Sequence, residues 1–186
     1  AVGYQALYAT TNYGNDNTGL GYKVLYANTS GEKNTAVGRE ALDACTTGGN
    51  NTAVGRDALG ALTTGEKNAV LSVGGQGITT GDNNICIGYN SGSSASPSGN
   101  ITTGSNNIML GNEAKVSAAD GGYQFVIGRN VTSNGNSTTT IGYDTTEIAT
   151  NHGSASWAAV SDERYKKEIE TSTAGLSFIN DLRPVT

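Results

Sequence analysis

The chain has 186 residues, a formal net charge of −5 and 27 glycines, but only one tryptophan and two phenylalanines. This composition is poor material for a conventional globular core, and the few scattered Lys and Arg residues exclude an extended basic surface for nucleic acid. No run of residues is long and apolar enough to span a membrane, and no signal peptide opens the sequence. We therefore expect neither nucleic acid nor membrane insertion.

A short motif repeats along most of the chain. Residues 34–38 read NTAVG and are followed by REAL, and residues 51–55 repeat NTAVG and are followed by RDAL. The motif's glycine recurs as Gly3, Gly21, Gly38, Gly55, Gly88, Gly111, Gly128 and Gly142, and Ser72 takes its place in one further copy. Regular spacing of about 17 residues is typical of a solenoid, so the sequence predicts about nine rungs over residues 1–143.

Each rung is predicted to hold one short strand and one tight turn. The residues before the marker glycine alternate with period two, which indicates a strand with one buried face. Thr-Thr-Gly triplets recur between the strands, and their glycines suit a tight turn. Toward the C-terminal end we expect larger inward-facing residues, namely Ile108, Leu110, Phe125, Ile127 and Ile141. Earlier rungs such as 18–20 offer one large apolar side chain, which favours a core shared among three chains.

The position after the marker glycine is predicted to form a column along the solenoid. It holds Tyr4, Tyr22, Arg39, Arg56 and Tyr89. The column suits either a sugar-binding strip or a packing ladder at a subunit seam, and the ladder is favoured. Glu40 and Asp57 also stack one rung apart, but the repeat itself creates this placement beside two arginines. It therefore indicates a solvated charge ladder rather than a pair of glycosidase carboxylates.

The first break in the repeat is residues 90–103, which lengthen one rung. Small polar residues with one proline indicate an exposed loop, and insertions in solenoids often carry binding. The alternative is a plain spacer. The receptor-binding candidates are Asn90, Ser91, Ser93, Ser94, Ser96, Pro97, Ser98 and Asn100.

Residues 144–160 leave the repeat and are predicted to form an end cap and linker. They contain the chain's only His and only Trp, and Trp157 is expected to plug the end of the solenoid. His152 has no second ligand near it in the sequence. Cys45 and Cys86 belong to different rungs, so their spacing predicts neither a disulfide nor a metal site. We expect no cofactor.

Residues 161–186 change character again. Ser161 is a good helix N-cap and acidic residues follow it, which predicts a helix start. Leu176, Ile179 and Leu182 form a second short apolar stripe that Pro184 ends. The predicted fold class is thus all-β, a parallel β-solenoid or β-roll assembled as a homotrimer, with a short C-terminal helical segment.

Two resemblances give these patterns a functional context. The NTAVG rungs with their Ala-Leu pairs resemble the head repeats of trimeric autotransporter adhesins, which are parallel β-rolls assembled as trimers. Residues 161–169, SDERYKKEI, followed by the stripe and by RPVT at 183–186, resemble the opening of the intramolecular chaperone domain of peptidase family S74, which ends many phage tail fibres. The second match covers only 26 residues but is the more specific. Together they imply a phage tail fibre.

The second resemblance also implies a self-cleavage reaction. In that family a Ser and a Lys act as a dyad, and by position these are Ser161 as nucleophile and Lys166 as general base. A lysine acts as a base only when desolvation or a positive neighbour lowers its pKa. A spacing of five does not place both side chains on one helix face, so the dyad requires an irregular turn or a contact between chains. Without the resemblance, a plain N-cap and a solvated lysine are favoured.

The resulting expectation is a structural and host-attachment segment of a tail fibre, located in the virion and facing the extracellular surface. Its expected partners are two further copies, other tail-fibre segments, and a host cell-surface glycan or protein receptor. No turnover enzyme is expected, at most a single autoproteolytic event. The alternatives are a bacterial trimeric adhesin head, a polysaccharide-depolymerising tailspike and, last, an ice-binding solenoid.

Overall fold

A computed structural model describes residues 1–9, 14–92, 100–153 and 158–160 of the chain. Within these residues the protein is all-β, contains no helix, and forms one ten-stranded sheet whose strands follow sequence order. The strands are β1 Thr18–Leu20, β2 Thr35–Val37, β3 Thr52–Val54, β4 Ala69–Leu71, β5 Ile85–Ile87, β6 Ile108–Leu110, β7 Phe125–Arg129, β8 Thr138–Tyr143, β9 Thr146–Asn151 and β10 Ala158–Val160.

Strands β1 to β8 are parallel and make about seven turns of a solenoid, which confirms the predicted β-solenoid. A bridge between Val2 and Leu20 adds a further level before β1. The predicted rung at residues 68–72 is also confirmed, because β4 pairs in parallel with both β3 and β5.

The interior of the solenoid is lined by the middle residue of each short strand. Ala36, Ala53, Val70, Met109 and Val126 are fully buried, whereas the residues flanking them face outward. The prediction that Ile108, Leu110, Phe125, Ile127 and Ile141 point inward is therefore wrong, since all five lie on the opposite face and are only half-buried. A shift of one residue exchanges the two faces of a strand, so a prediction one residue out of phase places the wrong side chains inside.

A second buried column closes the interior opposite the strands. Leu25, Leu42 and Leu59 occupy the Ala-Leu position of the repeat, are fully buried, and adopt positive φ values of 51° to 53°. They pack in one cluster with the strand residues and with leucine and isoleucine side chains before the turns, such as Leu62 and Ile78. Each chain therefore fills its own interior. The packing of this core is explained without the expected sharing among three chains.

Buried asparagines form a ladder of hydrogen bonds along the solenoid, immediately before the strands. The ladder runs through Asn17, Asn34, Asn51, Asn68, Asn84 and Asn107 to Gln124. At Asn51, the side-chain Nδ2 donates to the carbonyl of Gly65 at 2.9 Å and to Oδ1 of Asn34 at 3.1 Å. Its Oδ1 accepts from the backbone N–H and the side chain of Asn68 at 2.9 and 3.2 Å. All four hydrogen-bonding positions of this buried amide are occupied.

The marker glycines allow the closest backbone contact between rungs. Gly38 has a φ of 132°, and a Cβ at this position would overlap the carbonyl oxygen of Gly55 on the next rung. Positive φ and the absence of a side chain are both required here, which explains why glycine recurs. Ser72 is the exception, with a φ of 87°.

The solenoid ends in an antiparallel meander. Strand β9 pairs with β8 and β10 pairs with β9, both antiparallel, so the two strands after the parallel region extend the same sheet. Trp157, the predicted plug, and residues 161–186, the predicted helical segment, lie outside the described residues.

The asparagine ladder predicts a large difference between two neighbouring substitutions. We expect Asn51→Asp to lower the free energy of unfolding by about 3 kcal/mol, because a carboxylate removes two donors and leaves buried acceptors unpaired. The matched change Asn50→Asp alters an exposed side chain whose positive φ aspartate tolerates, so its effect should stay within about 0.5 kcal/mol. Urea denaturation of both variants measures the difference, and equal losses would contradict the ladder's role.

The glycine column predicts opposite effects at two of its positions. Gly38→Ala should destabilise by several kcal/mol because it adds both backbone strain and overlap with Gly55, whereas Ser72→Gly should stabilise by about 1 kcal/mol by removing strain. Gly135→Ala separates the two causes, since Gly135 has a φ of 138° but nothing within 4 Å of the added Cβ. Thermal unfolding should rank Gly135→Ala between the other two variants.

Candidate interaction surfaces

The outer face of the parallel sheet carries an apolar side chain at every level. The register of β1 to β8 aligns the third residues of β1 to β7 and the fourth residue of β8 in one column. The column is formed by Leu20, Val37, Val54, Leu71, Ile87, Leu110, Ile127 and Ile141. Leu20, Leu71 and Ile87 are 50%, 45% and 41% exposed. A continuous apolar stripe of this length is unusual on the surface of a monomer, so this face is a candidate surface for interaction.

A second outward column lies beside the first and changes along the solenoid. Its members are Thr18, Thr35, Thr52, Ala69, Ile85, Ile108, Phe125 and Thr139. The first three are exposed threonines, whereas Ile85, Ile108 and Phe125 are half-buried apolar residues. The outer face is therefore one apolar column wide at β1 to β3 and two columns wide at β5 to β7.

The column after the marker glycines lies on an exposed corner beside the sheet. The rings of Tyr4 and Tyr22 stack with centroids 5.5 Å apart and an interplanar angle of 12°, as the stacking prediction required. Arg39 and Arg56 follow on the next two rungs, and Tyr89 is 52% exposed further along.

A second tyrosine pair, which the sequence reasoning missed, lies near the first. Tyr8 and Tyr26 stack with centroids 5.4 Å apart, and the Nζ atom of Lys23 lies 5.5 Å from the Tyr22 centroid and 5.6 Å from that of Tyr26. The available signal was a tyrosine four residues after the tyrosine of each of the first two rungs. Stacked rings at the rung spacing mainly present their edges, so the pairs act as packing between rungs.

The carboxylates of the predicted charge ladder form ion pairs with their own neighbours. Arg39 Nη2 lies 3.0 Å from Glu40 Oε2, and Arg56 Nε lies 3.3 Å from Asp57 Oδ2. The pKa of the nearby Asp43 carboxyl is raised, first by partial burial and second by the charge of Glu40. The paired, partly exposed acids match a solvated charge ladder rather than a pair of glycosidase carboxylates.

The structure describes three of the receptor-binding candidates. Asn90 and Asn100 are half-buried, whereas Ser91 is fully buried and its Oγ donates to the carbonyl of Met109 at 3.0 Å. The Ser91 side chain therefore joins two rungs and does not present a surface to a receptor. Ser93, Ser94, Ser96, Pro97 and Ser98 lie outside the described residues.

Both residues of the implied autoproteolytic dyad, Ser161 and Lys166, also lie outside the described residues. His152 is exposed, and its Nε2 lies 3.1 Å from the hydroxyl of Thr139. The described part of the chain has no group of three or more His, Cys, Asp or Glu residues that suits a metal ion. Nor does any helix in that part have the length and hydropathy to cross a bilayer.

The two cysteines are free and buried in the interior. Burial raises the pKa of the Cys86 thiol to about 12 and that of Cys45 to about 11, from an ordinary value of 9.0. The Cys45 Sγ also lies 3.5 Å from the carbonyl of Gly48. Both thiols are thus protonated at neutral pH and serve as small apolar side chains.

This burial predicts a lack of thiol reactivity and a loss of stability at high pH. Iodoacetamide at pH 8 should modify the folded chain at least about 100-fold more slowly than the urea-unfolded chain, because thiolate is the reactive form. Since the folded pKa values exceed 9.0, the stabilisation is complete below pH 9 and is lost as pH rises toward 11 and 12. The free energy of unfolding, measured from pH 8 to 10.5, should fall less steeply in Cys86→Ala than in the wild type. Rapid alkylation of the folded chain would show that the rungs open locally.

Comparison of the chain with protein-family models, with curated proteins and with solved structures found no match. The resemblances to adhesin head repeats and to the S74 chaperone domain therefore rest on the sequence motifs quoted for them. Among the described surfaces, the outer face of the sheet, with its apolar column, is the main candidate for contact with a partner.

Proposed function

We propose that this chain is a structural and host-attachment segment of a phage tail fibre, in which three parallel copies pack around one axis. The observation that carries the proposal is the outer face of β1 to β8, with its apolar side chain at every level. The tail-fibre context comes from the resemblance of residues 161–186 to the start of the S74 chaperone domain.

A further copy of the chain is the partner that this face fits best. The apolar column repeats at the spacing of paired strands, about 4.8 Å. A second solenoid with the same repeat can stay in register with it over all eight strands, whereas a surface without this period meets it at only a few levels. Burying one Leu, Ile or Val side chain contributes about 1.5–3 kcal/mol, so repetition over eight levels supports a stable assembly.

Two further features of the chain have places in such a fibre. The column of Tyr and Arg residues lies beside the apolar face, so it suits the seam between copies. The insertion at residues 90–103 remains the candidate for contact with a host glycan or protein receptor through its residues other than Ser91. Extracellular exposure in the virion follows from this role.

Residues 161–186 are proposed to begin a chaperone that assists assembly and then cleaves itself off. The Ser161 hydroxyl would attack the carbonyl carbon of the Val160–Ser161 peptide bond while Lys166 accepts its proton. The lysine would pass this proton to the leaving nitrogen as the C–N bond breaks, and water would then hydrolyse the resulting ester. Packing of three chains can supply the desolvation that a neutral lysine requires. A bacterial adhesin head would share the solenoid but would lead into a coiled-coil stalk instead of this domain.

The proposal predicts both an oligomeric state and a cleavage event. Native mass spectrometry of the full-length parent protein should give a trimer. Mass spectrometry under denaturing conditions should show that its chains end near Val160, whereas the chains of the Ser161→Ala variant should remain uncut. A trimer that is uncut in both proteins would remove the autoproteolysis but keep the fibre. A monomer would contradict the trimeric assembly that the proposed tail-fibre function requires.

A further inference from the structure

The outer face of the sheet is not uniform along the solenoid, although the fold beneath it is. From β1 to β3 each level pairs an exposed threonine with one Leu or Val, for example Thr35 with Val37. From β5 to β7 each level carries two large apolar side chains. These are Ile85 with Ile87, Ile108 with Leu110, and Phe125 with Ile127.

This difference changes how well each half can exclude water. A threonine hydroxyl buried against another surface loses its water partners, which costs free energy unless the partner surface supplies a hydrogen bond. The single apolar column at β1 to β3 therefore lies beside a column of hydrated threonine hydroxyls. At β5 to β7 the two columns are contiguous, and a dry centre surrounded by other contacts is where binding energy concentrates.

The outward side chains at β5 to β7 are also partly covered in the single chain. Ile108 and Phe125 lie on adjacent levels of one column and are half-buried although they face outward. Side chains that already pack against a neighbour lose less conformational entropy on association than isolated exposed side chains do.

We propose that self-association of this chain is concentrated on β5 to β7, where a second copy in parallel register makes the first stable contact, and that β1 to β3 join afterwards. This inference rests on the proposed function, since it takes further copies of the chain as the partner. It adds an order of assembly, from the C-terminal half of the solenoid toward the N-terminal half.

The test compares two matched pairs of substitutions in the 186-residue chain. Ile87→Thr with Leu110→Thr removes two apolar side chains from β5 and β6, and Leu20→Thr with Leu71→Thr removes two of equal size from β1 and β4. Leu20, Leu71 and Ile87 have similar exposure, Leu110 is half-buried, and the interior-facing residues are untouched in both pairs. Sedimentation velocity over a range of concentrations measures association, and thermal unfolding by circular dichroism shows whether each solenoid folds.

We expect the β5–β6 pair to raise the midpoint concentration of association by about 100-fold, and the β1–β4 pair by about 10-fold or less. The converse variant, Thr35→Ile with Thr52→Ile, makes the face two apolar columns wide at β2 and β3. It should lower the midpoint by about 10-fold, and it keeps the test decisive should a threonine variant fail to fold.

Three outcomes would overturn the inference, and they are distinguishable. Equal weakening by the two pairs would show that the interface is uniform, while leaving the proposed fibre assembly in place. Unchanged association in the Thr35→Ile, Thr52→Ile variant would show that β2 and β3 lie outside the interface. A wild-type chain that remains monomeric at every concentration would remove the proposed assembly itself, and the inference with it.

Discussion

The asparagine ladder is the interaction on which the rest of this structure depends. A solenoid of short strands and tight turns exposes many backbone carbonyls to its interior, where each unpaired group costs free energy. Asn34 and Asn51 each donate to a glycine carbonyl in the turn and accept the backbone N–H of the next asparagine. One side chain thus joins a strand to its own turn and to both neighbouring rungs, in a low-dielectric interior where hydrogen bonds are strong.

The way the ladder ends shows how closely it is coupled to the fold. Gln124 takes the next position, and its backbone N–H still donates to Asn107 Oδ1 at 3.1 Å. Its longer side chain turns elsewhere, because Oε1 accepts from the backbone of Ser117 and Nε2 donates to Asn136, both at 2.9 Å. One strand later the sheet changes from parallel to antiparallel. The ladder and the regular solenoid therefore end together.

The sequence alone predicted the period, the strands, the turns and even the imperfect rung at Ser72, because glycine and asparagine recur at fixed distances from the strands. It did not predict which face of a three-residue strand points inward. Ile108 and Leu110 are larger than the inner residues of the two preceding rungs, Val70 and Cys86, so size alone suggested the wrong face. The repeated Ala-Leu pair at Leu42 and Leu59 was visible, but its burial depends on positive φ values that bulky residues rarely adopt.

Local sequence also failed to predict which residues of the candidate sites are exposed. Ser91 reads as part of a polar loop, yet its place directly after the glycine turn puts its hydroxyl against the Met109 carbonyl. Local composition predicts exposure, whereas the stacking of rungs decides it. The stacked tyrosines were predicted at Tyr4 and Tyr22, where the marker glycine gave their register, and missed at Tyr8 and Tyr26, where no marker did.

The two faces of the sheet divide the chain's physical tasks. The inner face also changes along the chain, from Ala36 and Ala53 to Met109 and Val126, but each of its side chains must fit beneath the next rung. The outer face carries no such constraint within one chain, and there threonine gives way to isoleucine and phenylalanine from Thr52 to Phe125. Because the fold itself does not require that change, its cause is best sought in what the outer face contacts. A solenoid stabilised from within is free to vary its outer surface level by level, and the same repeat can therefore present one apolar column at β1 to β3 and two at β5 to β7.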